Sequence, residues 1–105
     1  MLNNMAYEIH ETAKEKGWWD KPRELPEILM LVVSELAEAL EEYRVGKVKT
    51  YWLGDKPEGV EIEIADAFIR LLDLCAWLNI DIEHAIMLKR AYNNTRPYRH
   101  GNKLA

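Results

Sequence analysis

Cysteine is almost absent from this 105-residue chain, and Cys75 has no second thiol with which to form an intramolecular disulfide. It lies within an apolar helical pattern, which marks a small core residue rather than a nucleophile. No run of about 18 apolar residues occurs and no secretory leader is evident, so a soluble, cytoplasmic protein without a membrane partner is expected. Internal repeats, low-complexity tracts and convincing strand alternation are also lacking. What remains fits one modest domain, residues 1–105. Nor does any acidic residue follow Glu83, although Lys89, Arg90, Arg96, Arg99 and Lys103 all do. The formal charge of −4 therefore conceals a basic end. So few cations on an otherwise acidic chain argue against a duplex nucleic-acid surface. A nucleotide phosphate chain suits them better.

Hydrophobic residues make up 49% of the chain, enough for a core and too many for a disordered segment. Their spacing predicts an all-α fold of four helices. The first spans Leu2 to Lys16 and stops at Gly17. A connection from Trp18 to Leu25 leads to a second helix, which begins at Pro26, carries Glu27 in its first turn and ends at Val45 before Gly46. Residues 46–58 read as a long loop. The third helix, Gly59 to Leu78, is apolar almost all round (Ile64, Phe68, Ile69, Leu71, Leu72, Leu74, Trp77). A domain this small can hardly cover such a helix alone, so homo-oligomerisation is expected, as a homodimer or homotetramer. Asp81 reads as the N-cap of a fourth helix reaching Asn94, and Arg96-Pro97 ends helical structure there.

Two acidic motifs stand inside the apolar stretches: Glu35-Leu-Ala-Glu38 and Glu63-Ile-Ala-Asp66. Carboxylates three residues apart project from one helical face. The second and third helices are expected to run antiparallel, and at about 1.5 Å per residue the two pairs then fall at similar heights. Four carboxylates brought together in apolar surroundings need a cation, and oxygen-only ligands suit Mg²⁺, with Mn²⁺ as a substitute. A di-iron centre would call for Glu-x-x-His motifs, which the sequence lacks. A merely solvated acidic face is the plainer reading of either motif alone, and of Glu41 and Glu42.

At these residues the chain resembles the MazG-like nucleotide pyrophosphohydrolases of the all-α NTP pyrophosphatase superfamily. That family's pattern is Glu-Glu-x-x-Glu, a variable spacer, then Glu-x-x-Asp; here it reads Ser34-Glu35-Leu36-Ala37-Glu38, residues 39–62, and Glu63-Ile64-Ala65-Asp66. The resemblance extends from Gly17-Trp18-Trp19 to Lys89, Tyr92-Asn93, Arg96-Pro97 and His100-Gly101. Ser34 replaces the first Glu of the doublet, which leaves open which carboxylate is the general base. The resemblance implies a four-helix antiparallel bundle completed by homo-oligomerisation. It also implies Mg²⁺-dependent hydrolysis of a nucleoside triphosphate, ribo or deoxy, to the monophosphate and pyrophosphate, with Glu35, Glu38, Glu63 and Asp66 as metal-binding catalytic residues.

Lys89, Asn93 and Arg96 share one helical face or its continuation and are assigned to phosphate. Trp19, with His10 as companion, is assigned to the base, although either tryptophan of the pair could equally serve as packing. Arg70 is expected to orient Asp66 and neutralise Asp73. Two other readings stay in view. One is a related all-α enzyme specific for dUTP or phosphoribosyl-ATP; the other is a non-enzymatic helical dimerisation module.

Overall fold

Apolar residues returning every three or four positions build four long helices in the computed structural model, which describes residues 1–105. They are α1 (Leu2–Glu15), α2 (Leu25–Arg44), α3 (Val60–Trp77) and α4 (Ile82–Thr95); a single turn, α5 (Arg99–Asn102), lies in the tail. The chain is thus mostly helical, as its periodicity demands. Each of the first three helices stops in the same way. The residue after the cap enters the left-handed region at Gly17 (φ 87°), Gly46 (φ 77°) and Asn79 (φ 55°). The next N–H then reaches back five residues: Trp18 to the Ala13 carbonyl, Lys47 to Glu42 and Ile80 to Cys75. These paired turn bonds satisfy carbonyls that the helix end would otherwise orphan. The α4 start also follows its sequence signal, since the Asp81 side chain accepts from the His84 N–H at 3.0 Å.

The stretch expected to be a plain loop contains a β-hairpin instead. Strands β1 (Tyr51–Leu53) and β2 (Lys56–Glu58) pair antiparallel, Tyr51 opposite Glu58 and Leu53 opposite Lys56. Strands of three residues are too short to display alternation. Pro57 also argues against a strand, yet a two-stranded ribbon leaves one side of each strand unpaired, where a missing N–H costs nothing. The hairpin is tied to α2 by the Tyr51 hydroxyl, which donates to Glu42 at 3.0 and 3.1 Å. Gly59 then turns the chain into α3 with φ 117°. A Cβ there would lie 2.6 Å from the Lys49 carbonyl oxygen, so this turn is closed to other residues.

Helix α3 is the centre of the fold, packed against α2 on one side and α1 on the other. The core is small: Ala6, Ile28, Val32, Ala67, Leu72, Leu74 and Cys75. Cys75 is therefore a core thiol, as expected. Helix α4 buries no residue and is fastened to α1 only near its start, where Asn3 Oδ1 accepts from the Ile82 N–H and Asn3 Nδ2 donates to Asp81. The radius of gyration is 16.6 Å, against about 13 Å for a compact domain of this length. The accessible surface is 8217 Å², whereas a folded monomer of 12.3 kDa exposes roughly 6,100 Å². Much of the surplus is apolar, with Phe68 59% exposed on the central helix and Leu29, Met30, Val33, Leu71, Met87 and Leu88 open as well. No helix is long and apolar enough to cross a membrane.

Candidate metal centre and cavity

The inward faces of α2 and α3 carry Glu35 and Glu63, which are only 7% exposed each. With Asp66, one helical turn beyond Glu63, they offer carboxylate oxygens all within 4.8 Å of one another. Glu38 is exposed and stands within hydrogen-bonding reach of both Glu35 and Glu63. Three of the four residues expected to meet thus lie in one cluster, with Glu38 at its exposed edge. Ser34 turns its hydroxyl back onto the Leu31 carbonyl at 2.6 Å and contributes nothing to the cluster.

One cation touches the cluster directly. Arg70 Nε donates to Glu35 Oε1 at 2.8 Å. This corrects the expected partnership with Asp73: a guanidinium on α3 can reach across to α2, and Asp73 is occupied elsewhere. Two buried oxygens, Glu35 Oε2 and Glu63 Oε2, find no donor around them except a proton held among the carboxyls themselves. Burial alone would push the Glu35 carboxyl up. The hydrogen bonds from Arg70 and from a protonated Glu63 outweigh it and hold Glu35 below the ordinary range. Glu63 goes the other way, to about 8, because it is buried and shares hydrogen bonds with the carboxylates of Glu38 and Glu35. Asp66 is raised by burial and by the charge of Glu35, with Arg70 opposing. Neighbouring carboxylates cannot all ionise in such a space unless a cation joins them.

The hairpin adds two residues that the sequence did not single out. Lys56 Nζ and Glu58 Oε1 pair at 2.8 Å. Glu58 bears on Asp66, and Lys56 on Glu63 and Glu38, which puts this pair beside the cluster. No spacing rule reaches them, because a hairpin hidden in a loop brings them there.

A cavity of about 630 Å³ opens from Glu35 and Asp66 along α1 and α3. Ile9, Ala13 and Ile69 give it apolar walls, while Trp18, Arg23, Arg70 and Asp73 also line it. Trp18, 66% exposed, therefore faces this space. Trp19 and His10 are together, but neither lines the cavity; both are engaged by Asp73, with His10 Nδ1 2.7 Å from Oδ1 and Trp19 Nε1 donating to both oxygens at 3.1 Å.

No protein family, curated protein or solved structure matches this chain. The arrangement of its side chains is what speaks for its chemistry. In that arrangement Lys89, Asn93 and Arg96 stand apart from the cavity wall. Lys89 and Asn93 are exposed and Arg96 half-buried on α4 and its end. The Lys89 ammonium and the Arg96 guanidinium flank the Tyr92 ring at 4.8 and 5.5 Å. Neither forms an ion pair with a carboxylate within the chain.

Proposed function

We propose that this protein is a Mg²⁺-dependent nucleoside triphosphate pyrophosphohydrolase of the MazG-like kind, working as a homo-oligomer. The observation that carries this reading is the pair of buried oxygens, Glu35 Oε2 and Glu63 Oε2, on facing helices beside Asp66, which have no donor but a shared proton. An orphaned buried carboxylate oxygen is expensive. An all-oxygen donor set of this charge fits Mg²⁺, or Mn²⁺ in its place. Bound there, the metal would neutralise polyphosphate charge and acidify water. Glu35, Glu63 and Asp66 are the holding residues.

Glu38, the most exposed of the four, is positioned to accept the proton of the attacking water. The water oxygen bonds to the α-phosphorus, the bridging bond to the β-phosphate breaks, and pyrophosphate leaves in line with the attack. Arg70 keeps Glu35 ionised and fixes its orientation. The cavity beyond Asp66 receives the nucleoside, between Ile9, Ala13 and Ile69 and toward Trp18, with His10 and Trp19 holding Asp73 at its wall. Lys89, Asn93 and Arg96 serve the outer phosphates. Because α4 lies away from the cavity of its own chain, a second copy laid over the uncovered face of α3 is what brings such cations to it. The same packing completes a four-helix antiparallel bundle. A bare dimerisation module would share the exposed apolar surface but has no use for a buried cluster of carboxylates with too few donors.

The test is Mg²⁺-dependent release of pyrophosphate from a panel of ribo- and deoxynucleoside triphosphates, including dUTP. Glu38→Gln and Asp66→Asn should each lower kcat by about a hundredfold or more while leaving the helical circular dichroism unchanged. Absence of pyrophosphate with every nucleotide would sink the proposal, as would full activity in both variants.

A further inference from the structure

We propose that Asp73 selects nucleobases bearing an exocyclic amino group, so that cytosine and adenine are accepted over uracil, thymine and hypoxanthine. The inference rests on the nucleotide hydrolase reading and narrows its substrate class. Asp66 and Asp73 lie seven positions apart on α3 and line the same cavity. That spacing is about 10 Å along the helix axis, which matches the reach of a nucleoside from its 5′ oxygen to the far edge of its base. With the α-phosphate at the carboxylate cluster, the outer edge of the base falls beside Asp73. Ile9, Ala13 and Ile69 offer apolar contact to the sugar and base between them.

Asp73 is held as a fixed acceptor. Its side chain is 13% exposed. Oδ1 meets His10 at 2.7 Å and Trp19 Nε1 at 3.1 Å, whereas Oδ2 has only the shared Trp19 donor at 3.1 Å. Trp19 is itself wedged, with its ring 5.1 Å from His10 and 5.0 Å from Trp77, and Arg23 4.8 Å above it. The carboxylate therefore cannot turn away. An ionised carboxylate only accepts, and Oδ2 retains lone-pair capacity for one further donor. An amino group supplies that donor. The 4-oxo group of uracil or thymine instead sets lone pairs against lone pairs and leaves a buried oxygen unpaired. Sites built around one hydrogen bond reject the analogue lacking it more strongly than apolar pockets do. Cytosine and uracil are nearly isosteric, as are adenine and hypoxanthine, so shape gives no competing explanation.

The experiment compares kcat/KM for CTP against UTP, and for ATP against ITP, at saturating Mg²⁺ with the full chain. The amino member of each pair should be favoured about tenfold or more. Asp73→Asn keeps an acceptor for Trp19 and His10 and turns a donor toward the base, so both ratios should fall to about one or invert. Equal or better turnover of UTP and ITP by the native protein overturns the proposal. So does a variant that loses activity equally with both members of a pair, which would make Asp73 only a clamp for α1. The native ratios alone can overturn the proposal, and the variant is scored only when its helical circular dichroism matches that of the native protein. Failure to hydrolyse any nucleotide would instead count against the hydrolase reading. Base choice is then read by equilibrium dialysis of CMP against UMP, where equal retention overturns it.

Discussion

At the scale of single residues, Glu63 gives the protein a definite response to pH. Its carboxyl titrates near 8 in the folded chain, against an ordinary value of 4.5, so the folded state holds this proton more tightly than the unfolded one. Its contribution to stability is therefore complete below about 4.5 and is lost as the pH climbs through 8. Glu35, lowered rather than raised, acts only in the acid range and does not offset this. In chelator, the melting temperature should fall between pH 6 and pH 9. Glu63→Gln should flatten that slope and raise Tm at pH 9 by about 5 °C, the shift expected from roughly 1 kcal/mol in a domain this size. An unchanged slope in the variant would show that the Glu63 proton is not the cause. Adding Mg²⁺ to the native protein should narrow the difference as well, since a bound cation removes the reason to hold the proton.

At the scale of elements, the turn into α3 is the most vulnerable joint. Gly59 holds φ 117° with the Lys49 carbonyl where a Cβ would go, and the Val60 N–H donates to the Lys47 carbonyl at 3.0 Å. Gly59→Ala should cost about 1–3 kcal/mol, visible as a lower denaturant midpoint. An unaltered midpoint would show that this loop yields freely. The helices themselves were legible in the sequence. Gly17, Gly46, Asp81 and Pro97 mark their limits to within a residue or two, because caps and breakers act locally. The carboxylate cluster was partly legible, since two i, i+3 pairs fall at similar heights on antiparallel helices, whereas their inward rotation is set by the packing of α2 on α3. Arg70, Lys56, Glu58 and Asp73 were not. Arg70 chose a partner across the helix pair rather than along its own helix, and the hairpin is too short to leave a period. Asp73 owes its place to α1 and the α1–α2 connection, whose packing no spacing reveals.

At the scale of the whole molecule, the chain is too open for its size. An accessible area roughly 2,000 Å² above that of a folded monomer far exceeds the ~800 Å² that each partner gives to a standard interface. Burying half of it would match the area each partner gives to a standard interface. Sedimentation at micromolar concentration should return a multiple of 12.3 kDa, and Tm should rise with protein concentration. A single 12.3 kDa species with a concentration-independent Tm would mean that the apolar faces of α2 and α3 stay open to water.

The packing of Trp19 against Trp77 has an optical consequence. Their rings lie 5.0 Å apart at 35°, in a dissymmetric arrangement that couples their electronic transitions. Coupled indoles give a two-lobed circular dichroism band superimposed on the helical spectrum, and it should vanish in Trp19→Phe while the helical signal stays. Because one indole belongs to the α1–α2 connection and the other to the end of α3, the band reports whether these two segments are in register. The protein thus carries a chromophore pair whose signal tracks closure of that corner without any label.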